Sequence, residues 1–482
     1  MLTLLLILIP ALAALVVLIS KNNSAKQIAL VGAMTELALA AFVFTQFKAD
    51  STQQFTFSYP WIASLGISFA GGIDGISILL VMLTAFLVPL IVLSTFRQPY
   101  KSASIFYGLI LFMQAALIGV FTATDAFLFY FFFEAALIPI YFLAAVWGGE
   151  DRIKVTFKFF VYTIFGSLFM LVALVYLYYQ TPGTHNSAIV ALYKLTLTAQ
   201  QQGYIFGAFF IAFAIKMPLF PFHTWQPDTY TESPTPATML LAGIMLKMGV
   251  YGLIRFILPI VPLGLSAHGN MAIILSVIGI VYGSVIAIQQ RDMKRLIAYS
   301  SFAHVGLMAA GVFAMNLNGI QGALIQMLAH GINVVGLFFI VEIIYSRTKT
   351  RNIDQLGGIT QRTPNLSVYF IILMLGSVAM PLTNGFVGEF LLLSGVYESN
   401  KWLGAVAGLT IILGAVYMLR LVQKTMFGEK TAFTEYFADL SMSEKAVLIP
   451  LTFMVFWIGL YPNSFLKITE PAVVNLLQIV QK

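Results

Sequence analysis

The chain has 482 residues, of which 60% are apolar and 9% charged, and its mean hydropathy is +0.91. A soluble domain carries about a quarter charged residues, so this chain cannot cover a water-facing surface and its solvent must be lipid. Its net charge of +7 is dispersed over short loops, which suits orientation in a membrane and argues against a nucleic-acid partner, and the lack of cysteine excludes disulfides, thiol nucleophiles and cysteine-held iron–sulfur clusters.

Runs of about 20 apolar residues, the length of a membrane span, predict helices over 2–20, 27–47, 75–96, 102–120, 124–147, 157–180, 204–222, 235–259, 269–289, 296–314, 319–345, 367–396, 402–423 and 446–461. The reading is an all-α polytopic membrane protein of about fourteen transmembrane helices, one integral membrane domain over 1–482. The first run contains Ala11-Leu12-Ala13, the small-residue pattern of a signal-peptide cleavage site, but no basic residue precedes it. It therefore reads as a retained helix. The longest polar interruptions fall at 181–203, 346–366 and 424–445.

With that alternation, seventeen basic loop residues fall on one side of the membrane and five on the other. The rich side includes Arg97, Arg152, Arg291, Arg347 and Lys424, and the poor side Lys48, Lys194, Lys401, Lys467 and Lys482. The positive-inside rule makes the rich side cytoplasmic and puts both termini on the periplasmic side of a bacterial inner membrane.

One motif recurs. The seventh predicted helix holds Met217-Pro218-Leu219 followed by Pro221, and the twelfth holds Met380-Pro381-Leu382 followed by Gly385. Helices five apart cross in opposite directions. This predicts inverted five-helix repeats, helices 4–8 over 102–259 and helices 9–13 over 269–423, with the seventh and twelfth helices broken at Pro218, Pro221, Pro381 and Gly385. A proline removes a backbone donor. Freed backbone at membrane depth survives inside protein or beside a water-filled cavity, which is where transporters with paired broken helices place their working sites.

Few ionisable side chains lie inside the predicted spans. Arg255, Glu342 and Arg420 lie near helix ends, where a long side chain can reach the interface. Glu36 is mid-span and fits no pattern. Glu134, Lys216, Lys247 and Glu389 lie deep, two of them beside the predicted breaks. Burial disfavours an ammonium and a neighbouring carboxylate favours it, so a lysine between those effects can load and release a proton; a structural ion pair is the alternative. His304 and His330 lie within spans and can extend such a relay, because neutral imidazole both donates and accepts, though packing alone also accounts for them. His223, at the end of the seventh helix, fits a relay or a loop equally. No residue set suggests a metal site.

Three stretches carry a family resemblance: Lys216-Met217-Pro218-Leu219-Phe220-Pro221-Phe222-His223-Thr224-Trp225-Gln226-Pro227-Asp228 with Glu232-Ser233-Pro234; Leu241-Ala242-Gly243-Ile244-Met245-Leu246-Lys247-Met248-Gly249; and Arg291-Asp292-Met293-Lys294-Arg295 running on to His304-Val305-Gly306. In this order they resemble the antiporter-like membrane subunits of complex I, the NADH:quinone oxidoreductase, and Asp74-Gly75 fits the same pattern. Relatives occur in multisubunit Na⁺/H⁺ antiporters and membrane-bound hydrogenases. In this family the residue after the twelfth-helix break is usually lysine. Glutamate, as at Glu389, is similar to the M-type branch.

The resemblance implies roles. Glu134 and Lys216 would form the charge pair of an input half-channel, Lys247 the central relay, and Glu389 the terminal proton-loading group, with His304 and His330 between them. Quinone reduction elsewhere would drive the charge changes. NADH, FMN, iron–sulfur clusters and quinone would belong to other subunits, leaving no cofactor in this chain and no catalytic activity in the chain alone. Its neighbours would be L-type and N-type antiporter-like subunits. A Na⁺/H⁺ antiporter subunit, a photosynthetic relative of complex I and a non-translocating scaffold are the alternatives.

Overall fold

The structure, a computed structural model, describes residues 1–183 and 185–481. The chain runs α1 (Leu2–Ile19), α2 (Asn22–Gln46), β1 (Gln54–Ile62), β2 (Ile67–Ile73), α3 (Ile78–Ser94), α4 (Ala103–Thr122), α5 (Ala126–Ala135), α6 (Leu137–Trp147) and α7 (Arg152–Gln180). It continues through α8 (Ala199–Lys216), α9 (Trp225–Glu232), α10 (Thr235–Ile260), α11 (Pro262–Gln289), α12 (Met293–Phe313), α13 (Leu317–Thr348), α14 (Pro364–Ser377), α15 (Asn384–Ser399), α16 (Lys401–Met426), α17 (Met442–Leu460) and α18 (Asn463–Val480).

Lipid offers the backbone no hydrogen bonds, so a spanning segment must satisfy its own, and the helix is the local way to do so. Among the described residues, 11 helices are long and apolar enough to cross a membrane, counting α5 and α6 as one. Each falls on a predicted run. The run at 75–96 becomes the shorter α3, and the runs at 204–222 and 367–396 become helices interrupted part-way.

Burial separates the helices into layers. The apolar window of α10 is wholly enclosed, and those of α12 and α13 are 94% buried, against 28% for α2 and 39% for α7. The outer helices turn apolar side chains such as Val31, Phe157 and Val172 outward, as lipid-facing helices do. The three enclosed helices carry Lys247, His304 and His330. The layering therefore keeps these groups away from hydrocarbon.

Two elements depart from the sequence reading. Residues between the predicted helices 27–47 and 75–96, to which no element was assigned, form an antiparallel hairpin, β1 with β2, in which Tyr59 pairs with Phe69 and Phe57 with Gly71. Thr3 Oγ1 donates to the Phe55 carbonyl at 2.7 Å and Tyr178 to the Leu65 carbonyl at 2.7 Å, tying the hairpin to α1 and α7. The second is α18, which buries Phe465, Thr469, Ala472, Val473 and Leu476 against α13 and the end of α10. Its spacing is that of an amphipathic helix, which no search for continuous apolar runs detects.

The hairpin end also corrects the reading of Arg255. Its guanidinium does not reach for the interface: it is 9% exposed, and Nη2 donates to Asp74 Oδ1. Asp74 also accepts from the N–H groups of Ile76 and Ser77 and from Gln53 Nε2, each at 3.0 Å. Burial opposes ionisation of Asp74, but Arg255 and these donors outweigh it and hold the carboxyl below its ordinary range. Removing one partner of such a pair strands a buried charge, which costs about 3–5 kcal/mol. Arg255→Leu should therefore lower the amount of folded chain in membranes several-fold, measured by immunoblot. The conservative Arg255→Lys should lose less.

Candidate functional site

The deep ionisable groups sit where the helices are irregular. Glu134 is one residue from the end of α5, where the chain kinks into α6. Pro139 lacks the N–H that would have reached the Ala135 carbonyl, which accounts for the kink. Lys216 is the last residue of α8, and an irregular stretch containing Pro218 and Pro221 separates it from α9. The Ile215 carbonyl at this break is satisfied by Trp225 Nε1 at 2.9 Å. Lys247 lies between two π-helical segments, Leu241–Met245 and Leu253–Ile257. Such bulges often mark functional sites because they turn carbonyls out of the helical ladder. Glu389 lies in the second turn of α15, just past the break that contains Pro381.

Close packing brings α10 to both neighbours. A Cβ on Gly249 would lie 2.7 Å from Met217 Cβ, and one on Gly331 would lie 2.8 Å from the Gly243 carbonyl oxygen. Only glycine permits either approach. The first seats α10 on the α8 break, and the second seats it on α13, beside His330.

The contacts that result run from Lys247 to Glu389. Lys247 is 0% exposed; its Nζ donates to the Ala242 carbonyl at 2.6 Å and lies 2.9 Å from His330 Nδ1. Against an ammonium donor, His330 Nδ1 must be the accepting nitrogen. Its Nε2 lies 3.0 Å from Ser301 Oγ. The rings of His330 and His304 are 5.9 Å apart, centre to centre. His304 Nδ1 then lies 3.0 Å from Glu389 Oε1, an ion-pair distance without hydrogen-bond alignment. A cavity of about 10 Å³ lined by Ser301, His304, Gln326, His330 and Asn333 joins these groups. That is about the space one water needs, and its walls are polar enough to hold it.

The other half is looser. Lys216 is buried, and no ion pair joins it to Glu134 among the described residues. Among the described residues Lys216 Nζ has no hydrogen-bond partner, and it lies 4.4 Å from the centre of the Phe133 ring. Glu134 itself is part-exposed, flanked by Tyr130 and Ser167.

One expectation needs correction, and one left open is decided. Gly385 is not part of the break: it sits in the first turn of α15, packed on the Gly376 carbonyl, where any side chain would collide. The break itself spans Val378 to Thr383, with Ala379 and Leu382 at positive φ. His223, which fitted a relay or a loop equally, lies in the irregular stretch between α8 and α9 but below the surface. It is 5% exposed and stacks on Phe302 at 4.5 Å, with Tyr282 edge-on at 5.2 Å, and among the described residues no hydrogen bond or ion pair links it to the Lys247–Glu389 series.

Sequence reasoning missed four polar groups here. Ser301 is the hydroxyl between the helices. Ser300 donates to Tyr417 at 3.1 Å. Asn333 and Asn384 exchange amide hydrogen bonds at 3.1 Å each, holding the start of α15 against α13. All are uncharged, and a search for intramembrane charge passes over them. The signal available was a polar residue inside an apolar run.

Comparison with known proteins places this geometry among relatives. A family model described as "NADH:quinone oxidoreductase/Mrp antiporter, TM" matches residues 123–414. The NADH-quinone oxidoreductase subunit M of Rickettsia typhi is 40% identical, over 98% of this chain and 97% of its own length. The subunit M of Rhodobacter capsulatus is 39% identical, over 95% and 91%. A chain in the structure of respiratory complex I from Thermus thermophilus with bound NADH superposes with a TM-score of 0.92 at 31% identity, with 100% of each chain covered. A chain of the Mrp complex from Dietzia shares the fold, with a TM-score of 0.87 at 19% identity.

Proposed function

Because the chain belongs to the subunit M family, the proton-translocating antiporter-like membrane subunits of NADH:quinone oxidoreductase, we propose that its buried series from Lys247 to Glu389 is the proton relay of that pump. The single observation that carries the reading is the succession of contacts, Lys247 on His330, His330 on Ser301, and, across the small polar cavity that separates the two histidines, His304 on Glu389. Each step joins groups that can both give and take a proton.

The relay divides at Lys247. Glu134 and Lys216 form the entry side, and no ion pair joins them among the described residues. A shift of either group, or of the kinks that hold them, changes the field at Lys247, and a neutral Lys247 has passed its proton to His330. From there Ser301, the small polar cavity and His304 lead to Glu389, the terminal group. Residues 102–259 and 269–423 are the two half-channel repeats. His223, outside the contact series, has at most a secondary role.

The energy comes from quinone reduction in other subunits of the complex. NADH, flavin, iron–sulfur clusters and quinone belong to them, and this chain alone has no catalytic activity. L-type and N-type antiporter-like subunits are its neighbours. The membrane is the bacterial inner membrane, with the basic loops in the cytoplasm and both termini periplasmic.

Lys216 supplies the test of the entry side. Arginine keeps the positive charge but effectively never deprotonates. Lys216→Arg should reduce NADH-driven proton pumping in native membranes by about tenfold or more, the scale of one lost proton-transfer group. Pumping at the parent rate would mean that Lys216 never gives up its proton.

A further inference from the structure

We propose that the cavity beside the β1–β2 hairpin is a water vestibule on the periplasmic face, and that a layer of phenylalanine rings, Phe129 and Phe133 foremost, insulates Lys216 from it. The inference rests on the reading of Lys216 as an entry-side proton carrier and on the membrane orientation given above.

The cavity measures about 560 Å³ and lies between the hairpin, the junction of α4 with α5, residues 186–193 and the end of α10. Its rim is exposed at Thr56, Ser58 and Val190, and its floor is buried, with Tyr251 3% and Arg255 9% exposed. Polar side chains line much of the wall, so water has partners there. The two carboxylates of this region are fully engaged. Asp125 accepts from the N–H groups of Ser68, Phe127 and Leu128 and from the Ser187 hydroxyl. Asp74 is held by Arg255 and Gln53, both of which line the cavity. Neither is left to carry a proton further inward.

Beyond the floor the polarity ends. The Tyr251 hydroxyl donates to the Phe121 carbonyl at 3.0 Å, and its ring lies 6.4 Å from that of Phe129. Phe129 lies 5.7 Å from Phe133, whose ring centre is 4.4 Å from Lys216 Nζ. Two rings in series therefore join the floor to the ammonium. Phe256 flanks Phe129 at 4.7 Å, Phe213 flanks Phe133 at 6.3 Å, and the two flanking rings are 6.1 Å apart. All four phenylalanines are at most 1% exposed. Gly252 lets α10 close on α8 here, since a Cβ on it would collide with the Phe213 ring. Water between apolar rings finds no hydrogen-bond partner, so such a constriction stays dry and passes no protons.

The direction of pumping makes this barrier necessary. A pump that loads Lys216 from the cytoplasm and releases protons to the periplasm works against the membrane potential. A wet path from the vestibule to Lys216 would let protons run back through the entry side.

Thiol labelling tests the vestibule, because the chain has no cysteine of its own. The assembled complex is used in right-side-out membrane vesicles with a membrane-impermeant maleimide. Thr124→Cys, in the cavity wall, should be alkylated, and Ala214→Cys, two residues from Lys216, should not. No labelling of Thr124→Cys, or labelling only in inside-out vesicles, overturns the vestibule. Labelling of Ala214→Cys overturns the barrier. The barrier is also read as passive proton influx into proteoliposomes holding the purified complex, without NADH, under an imposed potential and with a trapped pH dye. Phe129→Ser should raise this influx several-fold, whereas Phe129→Leu, which keeps the passage apolar, should stay within about twofold of the parent. An assembled Phe129→Ser complex as tight as the parent, or an equal leak in Phe129→Leu, overturns the dry barrier. If Phe129→Ser does not assemble, the Ala214→Cys result decides. Parent-rate pumping by Lys216→Arg would instead remove Lys216 from the entry side and leave the labelling pattern unchanged.

Discussion

Replacing Lys247 by alanine should leave the complex assembled but slow NADH oxidation through it by about tenfold or more, the scale of a lost proton-transfer group. Lys247 is the most enclosed charge-bearing side chain of the series, and its ammonium joins the α10 backbone, through the Ala242 carbonyl, to His330. Alanine leaves both of those acceptors without a donor. The penalty is about 1–3 kcal/mol for such a group, small beside the packing of three nearly enclosed helices. Assembly, read by native electrophoresis, should therefore survive. Proton transfer should not, because among the described residues Lys247 is the ionisable group in contact with His330 Nδ1. Parent-rate oxidation by an assembled Lys247→Ala complex would make this lysine a structural residue.

Glu389→Gln should be as damaging and is the cleaner substitution. Glutamine has nearly the same shape and keeps an oxygen facing His304 Nδ1, which lies 3.0 Å from Glu389 Oε1. The packing of α15 on α13, held by the Asn333–Asn384 amide pair, is untouched. What is lost is titration: an amide neither loads nor releases a proton. Proton pumping should fall by about tenfold or more while the amount of complex stays constant. If packing were the only role of Glu389, Glu389→Gln would pump normally.

Much of this architecture was legible before the structure. Apolar runs located the helices because lipid imposes a minimum length and forbids unsatisfied backbone. The deep residues Glu134, Lys216, Lys247 and Glu389 stood out because charge is scarce where hydrocarbon surrounds a helix. The hairpin was missed although Phe55-Thr56-Phe57-Ser58-Tyr59 alternates apolar with polar residues, the strand period. A reading tuned to long apolar runs passes over a short strand. The end helix α18 was missed for a related reason, since its apolar residues recur at helical spacing without forming a run.

The site was less legible than the fold. That Lys247 meets His330 depends on Gly243 and Gly331 letting two backbones approach, and sequence spacing does not show which glycines face each other. The Arg255–Asp74 pair joins positions 181 residues apart, so a residue near a helix end read as reaching for the interface. Ser301 carried no charge to draw notice, yet its hydroxyl spans the gap between α12 and α13.

The central claim is that protons pass through Lys247. The direct measurement is the number of protons pumped per electron in sealed membrane vesicles oxidising NADH, with parent and Lys247→Ala complexes compared at matched oxidation rates. The relay predicts a lower ratio in Lys247→Ala, or no measurable pumping. An unchanged ratio at matched rate would contradict it.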